Sequence, residues 1–184
     1  MAYEPMELDE AYRLINTGPV VLICTVSNDG MYNVSPVAWV SPVRKTPTCI
    51  MINASKRRKT FQNIKQTGIF AAGIPNISQV EMIKSAASFS GDGEDKFEKC
   101  RIPSIAGMEI DCRVPEGMVG YIECRVKDIY DSGMLAAVVG EAVYAAVESE
   151  AYDGSRLLSE NPAGKTVYHL GNQRFMTLGD QIFE

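Results

Sequence analysis

The sequence predicts a mostly antiparallel β-barrel with a few peripheral helices. Three observations carry that prediction. The strand-like runs are short and set apart by turn signals. Two of the turns, Asn28-Asp29-Gly30 and Asp131-Ser132-Gly133, are hairpin signals, because these residues tolerate positive φ. The helical stretches lie between strands without alternating strictly with them, which argues against a βαβ wind. At 184 residues the chain suits one domain over positions 1–184. It shows no internal repeat, low-complexity tract or linker, and it can bury roughly 70% of its unfolded surface without staples.

The elements follow in order. Leu8 to Asn16 has helical spacing, with Leu8, Ala11, Tyr12 and Ile15 on one side and Gly18-Pro19 ending it. Val20 to Val26 is a continuous apolar run, as in a strand buried on both faces. After the Asp-Gly turn, Tyr32 to Ser41 reads as one strand, and Pro36 marks an edge or a break. A strand over Thr48–Ala54 precedes a helix over Thr60–Thr67, closed by Gly68. Ile69–Ile74 is a short strand, and Ser78-Gln79-Val80-Glu81 reads as a capping box for a helix to Ala87. Asp95–Cys100 forms one or two helical turns. Val119–Tyr130 alternates, with Ile122, Cys124 and Val126 facing in and Glu123, Arg125 and Lys127 facing out. Leu135–Val147 completes a long hairpin, and a last strand covers Val167–Leu178.

The formal net charge is -5, from 18 basic and 23 acidic residues. No basic face of domain size is available, which argues against a nucleic-acid partner. Five cysteines are present, none in a Cys-x-x-Cys pair, and two lie in apolar runs (Cys24 and Cys49). That pattern suits a reduced, cytoplasmic chain with buried thiols. With a single histidine, His169, no metal site is expected. The N-terminus lacks a signal pattern, and no run approaches the ~18 apolar residues of a membrane helix, so no membrane partner is expected. Gly164-Lys165-Thr166 lacks the rest of a P-loop, because Ser159 stands where a glycine is needed.

The strongest local signal is the run Lys56-Arg57-Arg58-Lys59, bracketed by Ser55 and Thr60. It joins a strand to a helix start, where unpaired N–H groups and a partial positive charge suit a phosphate. A solvated basic turn is the plainer alternative. Asn33 and Ser35 share a strand face with Trp39. They offer polar groups and a wall for an apolar slot, or else a solvated face and ordinary core packing. His169 is a ligand contact or a surface histidine.

Asn33-Val34-Ser35-Pro36, Ser55 through Thr60, Asn63-Ile64 and Phe70 together resemble the flavin reductase-like family of FMN-binding split barrels, closest to its flavoredoxin-type branch. Phe89-Ser90-Gly91, Asp95-Lys96-Phe97, Gly140-Glu141 and His169-Leu170-Gly171 add weaker matches, so the likeness spans roughly positions 18–179. The resemblance implies an antiparallel split β-barrel of FMN-binding type. It places Asn33, Val34, Ser35 and Pro36 against the flavin ring. It places Ser55, Lys59 and Thr60 on the phosphate, with Arg57 or Arg58 nearby. Asn76, Lys96 and His169 would approach the flavin from other sides. Asn172-Gln173-Arg174-Phe175 departs from the pattern of many relatives, which puts a role for His169 in doubt. A homodimer is also implied, with the flavin near the subunit interface.

The expected function is that of an FMN-dependent oxidoreductase, taking electrons from NADH or NADPH and passing them to an unidentified acceptor. The flavin would carry the electrons, which suits a chain without a Ser-His-Asp set or a carboxylate pair, and no catalytic side chain is assigned. The alternative is a flavoredoxin-like electron carrier with tightly bound FMN and no nicotinamide turnover.

Overall fold

The structure is a computed structural model that describes residues 4–88, 93–171 and 174–179. A 3-10 helix, Leu8–Ile15, opens the described chain. Strands follow as β1 (Gly18–Pro19), β2 (Val21–Val26), β3 (Tyr32–Val37), β4 (Val40–Lys45) and β5 (Thr48–Ser55). Helix α1 (Lys59–Thr67) leads into β6 (Ile69–Ile74), and a 3-10 turn (Ile77–Gln79) leads into α2 (Val80–Ala87). A short α3 (Lys96–Cys100) precedes β7 (Ser104–Ala106) and β8 (Arg113–Pro115). The long hairpin is β9 (Gly120–Ser132) and β10 (Leu135–Val147), followed by β11 (Tyr168–Gly171) and β12 (Arg174–Met176).

Seven strands form one antiparallel sheet in the order β3-β2-β6-β9-β10-β5-β4. Its two edges, β3 and β4, are consecutive in the chain and separated only by Ala38 and Trp39. In a flat sheet those edges would stand roughly 29 Å apart, six spacings of ~4.8 Å. Three peptide units from Val37 to Val40 reach at most about 11 Å. The sheet therefore curls until its edges meet, and the result is an antiparallel barrel split between β3 and β4. The pairing of Tyr32–Ser41 as one strand is corrected here. The chain leaves one edge at Val37 and joins the other at Val40. Pro36 sits on an edge strand, where its missing N–H costs nothing in the ladder.

Curling explains the apolar runs. In β2, Val21 and Ile23 point into the barrel with Ile52, Phe70 and Val138. Leu22 and Cys24 point outward against Ile83, Ala86 and Phe97 of the helical layer. Helix α1 adds Phe61 and Ile64 to the barrel cluster. At Gly140 a Cβ would lie 2.5 Å from the Phe70 ring, so β10 lets the barrel core close only without a side chain there.

Several other expectations change. Residues 8–15 are helical, but as a 3-10 helix that buries none of its side chains. The cap before α2 is Asn76 rather than Ser78: its side chain accepts the Ser78 N–H, and Gln79 bonds back to the Asn76 N–H. The last strand is two: β11 pairs with β1 on one side and with β12 on the other, as a separate small sheet. Pro162–Gly164 forms a 3-10 turn, with no strand leading into it as a P-loop requires.

Glu123 reverses its predicted direction. It is fully buried, and its carboxylate accepts backbone N–H bonds from Met108 at 2.7 Å, Glu109 at 2.8 Å and Ile110 at 3.0 Å. The loop between β7 and β8 thus folds over the sheet and solvates the charge with its own amides. Replacing Glu123 with Ala should lower unfolding free energy by about 3 kcal/mol, since three N–H groups lose a charged acceptor. A urea denaturation midpoint equal to that of wild type would rule out this anchoring role.

Candidate functional site

A cavity of about 480 Å³ opens at the split in the barrel. Asn33, Ser35 and Pro36 reach it from β3, and Ala38 and Trp39 from the two-residue crossing. Asn53, Ala54 and Ser55 reach it from β5, on the far side of the split. The closure that joins the two sheet edges therefore also brings the two predicted polar segments together.

The floor of the cavity on the charged side is the turn from β5 into α1. The Arg58 N–H bonds the Ser55 carbonyl at 3.0 Å, which reverses the chain within four residues. The four basic side chains then divide. Lys56 turns away and pairs with Asp131 at 2.7 Å. Arg57 is exposed and does not line the cavity, whereas Arg58, Lys59 and Thr60 do. Arg58 is the extended N-cap residue of α1, and no side chain caps that helix start. Its first-turn N–H groups and the positive end of the helix dipole are left for a ligand.

A buried polar network holds this helix start against the barrel. The Asn33 amide donates to Thr60 Oγ1 at 3.1 Å and to Thr25 Oγ1 at 3.4 Å, and the Asn63 amide donates to Thr25 Oγ1 at 3.1 Å. Asn33 is 2% exposed, so a solvated strand face is excluded for it. Asn63 Oδ1 is the one buried side-chain oxygen or nitrogen without a partner among the described residues. Thr25 was not singled out by the sequence, and Asn63 entered only as part of the resemblance, without a role. Their signals were present: a hydroxyl inside the apolar run Val21–Val26, and an amide three positions after Thr60 on one helical face.

Two residues arrive from outside the barrel. Asp95 caps α3 by accepting the Phe97 N–H at 2.9 Å, and it also accepts the Tyr32 N–H at 3.2 Å. That double contact ties α3 to β3 and sets Lys96 on the cavity wall, only 3% exposed. Burial pulls the Lys96 ammonium below its ordinary range, Cys100 opposes that, and the nearby Arg58 charge adds to it. His169 lines the cavity from β11. Trp39 is 42% exposed and serves as a wall rather than as core. Its Nε1–H donates to Asn16 Oδ1 at 2.6 Å, and the Tyr12 ring meets it edge-on with centroids 5.8 Å apart. Tyr12 and Asn16 were not foreseen, because nothing in residues 8–16 signals that the segment lies over the crossing.

Besides Arg57, two proposed residues lie elsewhere. Val34 is wholly buried in the outer core. Asn76 caps the turn before α2 and donates to the Gly117 carbonyl at 2.9 Å, away from the cavity. Phe89-Ser90-Gly91 and Asn172-Gln173 lie outside the described residues. Among the described residues, no group of three or more His, Cys, Asp or Glu side chains could hold a metal ion, and no helix is long and apolar enough to cross a membrane.

Comparison with known proteins agrees with this geometry. The protein YddH of Escherichia coli (strain K12), itself uncharacterised, is 30% identical over 97% of this chain and 96% of its own. An uncharacterised protein of Methanothermobacter thermautotrophicus is 28% identical over 74% of this chain and 68% of its own. In fold, the chain matches nitrilotriacetate monooxygenase component B from Bacillus cereus with a TM-score of 0.88 at 20% identity, covering 100% of this chain and 98% of that one. It matches flavoredoxin of Desulfovibrio vulgaris (Miyazaki F) with a TM-score of 0.84 at 21% identity, covering 100% and 97%. The model of the flavin reductase like domain matches residues 13–174, and the chain belongs to that family.

Proposed function

We propose that this protein is an FMN-dependent oxidoreductase that draws electrons from NADH or NADPH. The observation that carries the reading is the polarity of the cavity: cations at one end, an open apolar wall at the other. Arg58, Lys59 and the uncapped start of α1 suit a terminal phosphate, with Ser55 and Thr60 beside them. Asn33, Ser35 and Asn53 offer polar groups along the middle, and Pro36, Ala38 and Trp39 offer flat apolar surface for a ring. The donor set thus fits a phosphate ester on a polar chain that ends in an aromatic ring. FMN-binding proteins of this fold, such as one from Thermus thermophilus with a TM-score of 0.83, support the choice of flavin.

When bound, FMN supplies the ring that takes electrons from a reduced nicotinamide. The chain's own residues bind and orient. Lys59 and Arg58 neutralise the phosphate. The amide of Asn33 keeps Thr60 in place, so that α1 meets the phosphate at a fixed distance. Trp39, held by Asn16, walls the ring side and excludes water from it. Lys96 places a positive charge on the wall, where negative charge on a reduced ring or on the donor's pyrophosphate would be offset.

A homodimer completes this reading. Leu8, Leu14 and Ile15 of the N-terminal segment are 78–88% exposed, and Val43 and Tyr130 are exposed on the sheet. So much apolar surface suits a second copy of the chain. Light scattering should give a particle near twice 20.2 kDa at micromolar concentration, and a 20.2 kDa particle would dispose of the dimer.

Two further outcomes follow for the ligand. Lys59→Ala should weaken FMN roughly tenfold to hundredfold and leave riboflavin, which lacks the phosphate, almost unaffected. Equal losses for both would remove the phosphate assignment. Anaerobic addition of NADH or NADPH should bleach the bound flavin, and failure of both donors would favour the electron carrier.

The Lys96 charge gives a pH dependence. The ammonium is charged below its pKa, and that pKa lies below the ordinary 10.5. Burying the charge costs stability below the folded-state pKa, and the cost fades as pH rises through it. The charge's help to an anionic ligand fades in the same window. Bleaching of the bound flavin by NADH or NADPH should therefore slow as pH rises toward 10.5, and Lys96→Arg should hold the rate to higher pH. A rate flat across that range in the wild type would clear Lys96 of contact with the ring or the donor.

A further inference from the structure

The apolar end of the cavity opens past one side chain. Trp39 lines the cavity and is 42% exposed, and Tyr12 beside it is 40% exposed, so the two stand at the mouth. Trp39 belongs to neither of the two core clusters.

The backbone beneath the indole is held on both sides. The Trp39 carbonyl accepts the Asn53 N–H at 3.0 Å. The Ala38 carbonyl is pressed by Gly18, where a Cβ would fall 2.4 Å from its oxygen. The crossing itself is only these two residues long. The freedom left to the indole is rotation about its own side-chain bonds.

Two contacts oppose that rotation, and both come from residues 12–16. The indole Nε1–H donates to Asn16 Oδ1 at 2.6 Å, and the Tyr12 ring meets the indole edge-on with centroids 5.8 Å apart. Asn16 lies two residues before β1, which pairs with β11 through Gly18 and His169, so the accepting oxygen is anchored to the fold. A neutral hydrogen bond and an edge-on ring pair each shift an equilibrium by roughly threefold to tenfold. Contacts of that size latch a side chain without locking it, and a turned-out indole stays thermally accessible.

We infer that Asn16 is a positioning residue: it latches the Trp39 indole across the mouth, and the latched indole gates the passage of ring-bearing molecules into and out of the cavity. That the gated molecule is a flavin rests on the reading above. The latch does not, and the test separates the two.

A gate latched alike over an empty and an occupied cavity slows entry and release by the same factor, so the affinity does not change. A side chain that only touches its ligand changes the release rate and leaves entry alone. Trp39 is the only tryptophan of the chain, so its indole N–H gives one proton resonance and its emission one signal. In flavin-free protein the indole N–H should exchange slowly with solvent, and Asn16→Leu should speed that exchange roughly threefold to tenfold. Asn16→Asp keeps an acceptor oxygen in place and should hold wild-type protection. Stopped-flow quenching of Trp39 emission then follows entry and release of FMN, of riboflavin and of 1-anilinonaphthalene-8-sulfonate, a ring compound that is not a flavin. In Asn16→Leu both rates should rise roughly threefold to tenfold, with Kd held within about twofold. Tyr12→Leu should act in the same direction. An indole proton that exchanges at the free-solvent rate in the wild type overturns the inference. So do entry rates unchanged in both Leu variants, or a wild-type cavity that admits none of the three probes. If the naphthalene probe passes as stated and both flavins are rejected, the gate stands and the flavin reading falls. Flavins that bind with entry rates the variants leave untouched remove the gate alone.

Discussion

The structure depends on one geometric constraint: two residues, Ala38 and Trp39, must carry the chain from one edge of a seven-stranded sheet to the other. Everything central to the cavity follows from it. The sheet has to curl, the edges have to meet, and the split where they meet cannot be filled by ladder hydrogen bonds along its length. A space lined by both edges results. The crossing is pressed close by β1: a Cβ on Gly18 would fall 2.4 Å from the Ala38 carbonyl oxygen. That tight approach leaves room only for glycine, and it brings the small sheet that carries His169 beside the split.

The same closure sorts the polar residues by depth. Thr25, Asn33, Thr60 and Asn63 come from three elements and meet inside, where each amide must find an acceptor. Their hydrogen bonds brace α1 against the barrel and so place the basic turn. The charged residues of that turn stay at the cavity or outside it, because burying them without a partner would cost several kcal/mol each. Glu123 shows the opposite solution: the chain brings three amides to a buried carboxylate instead of keeping it at the surface.

Much of the fold was legible in the sequence because it rests on local rules. The buried strand Val21–Val26 shows in its unbroken apolar run, the helix Lys59–Thr67 in its spacing and its closing Gly68, and the two hairpins in their Asp-Gly and Ser-Gly turns. Of the proposed site, Asn33, Ser35, Pro36, Ser55, Lys59, Thr60, Lys96 and His169 do come together. Val34 went to the core because alternation puts it on the face opposite Asn33 and Ser35. Asn76 went to a helix cap, a role its short amide fills through local backbone bonds.

By itself, then, the sequence determined strand against helix, where the chain turns, and which four cations sit at the junction of β5 and α1. Those are outcomes of periodicity, turn chemistry and charge, all set by residues near one another in the chain. Only the tertiary structure decided which of the four cations face the cavity, that Glu123 points inward, and that Trp39 is a wall. Each of these depends on partners far along the chain: Asp131 drawing Lys56 away, the amides of residues 108–110 covering Glu123, and Asn16 holding the indole. A side chain's direction in a curled sheet is set by what closes over it, and that information lies in the closure rather than in the segment.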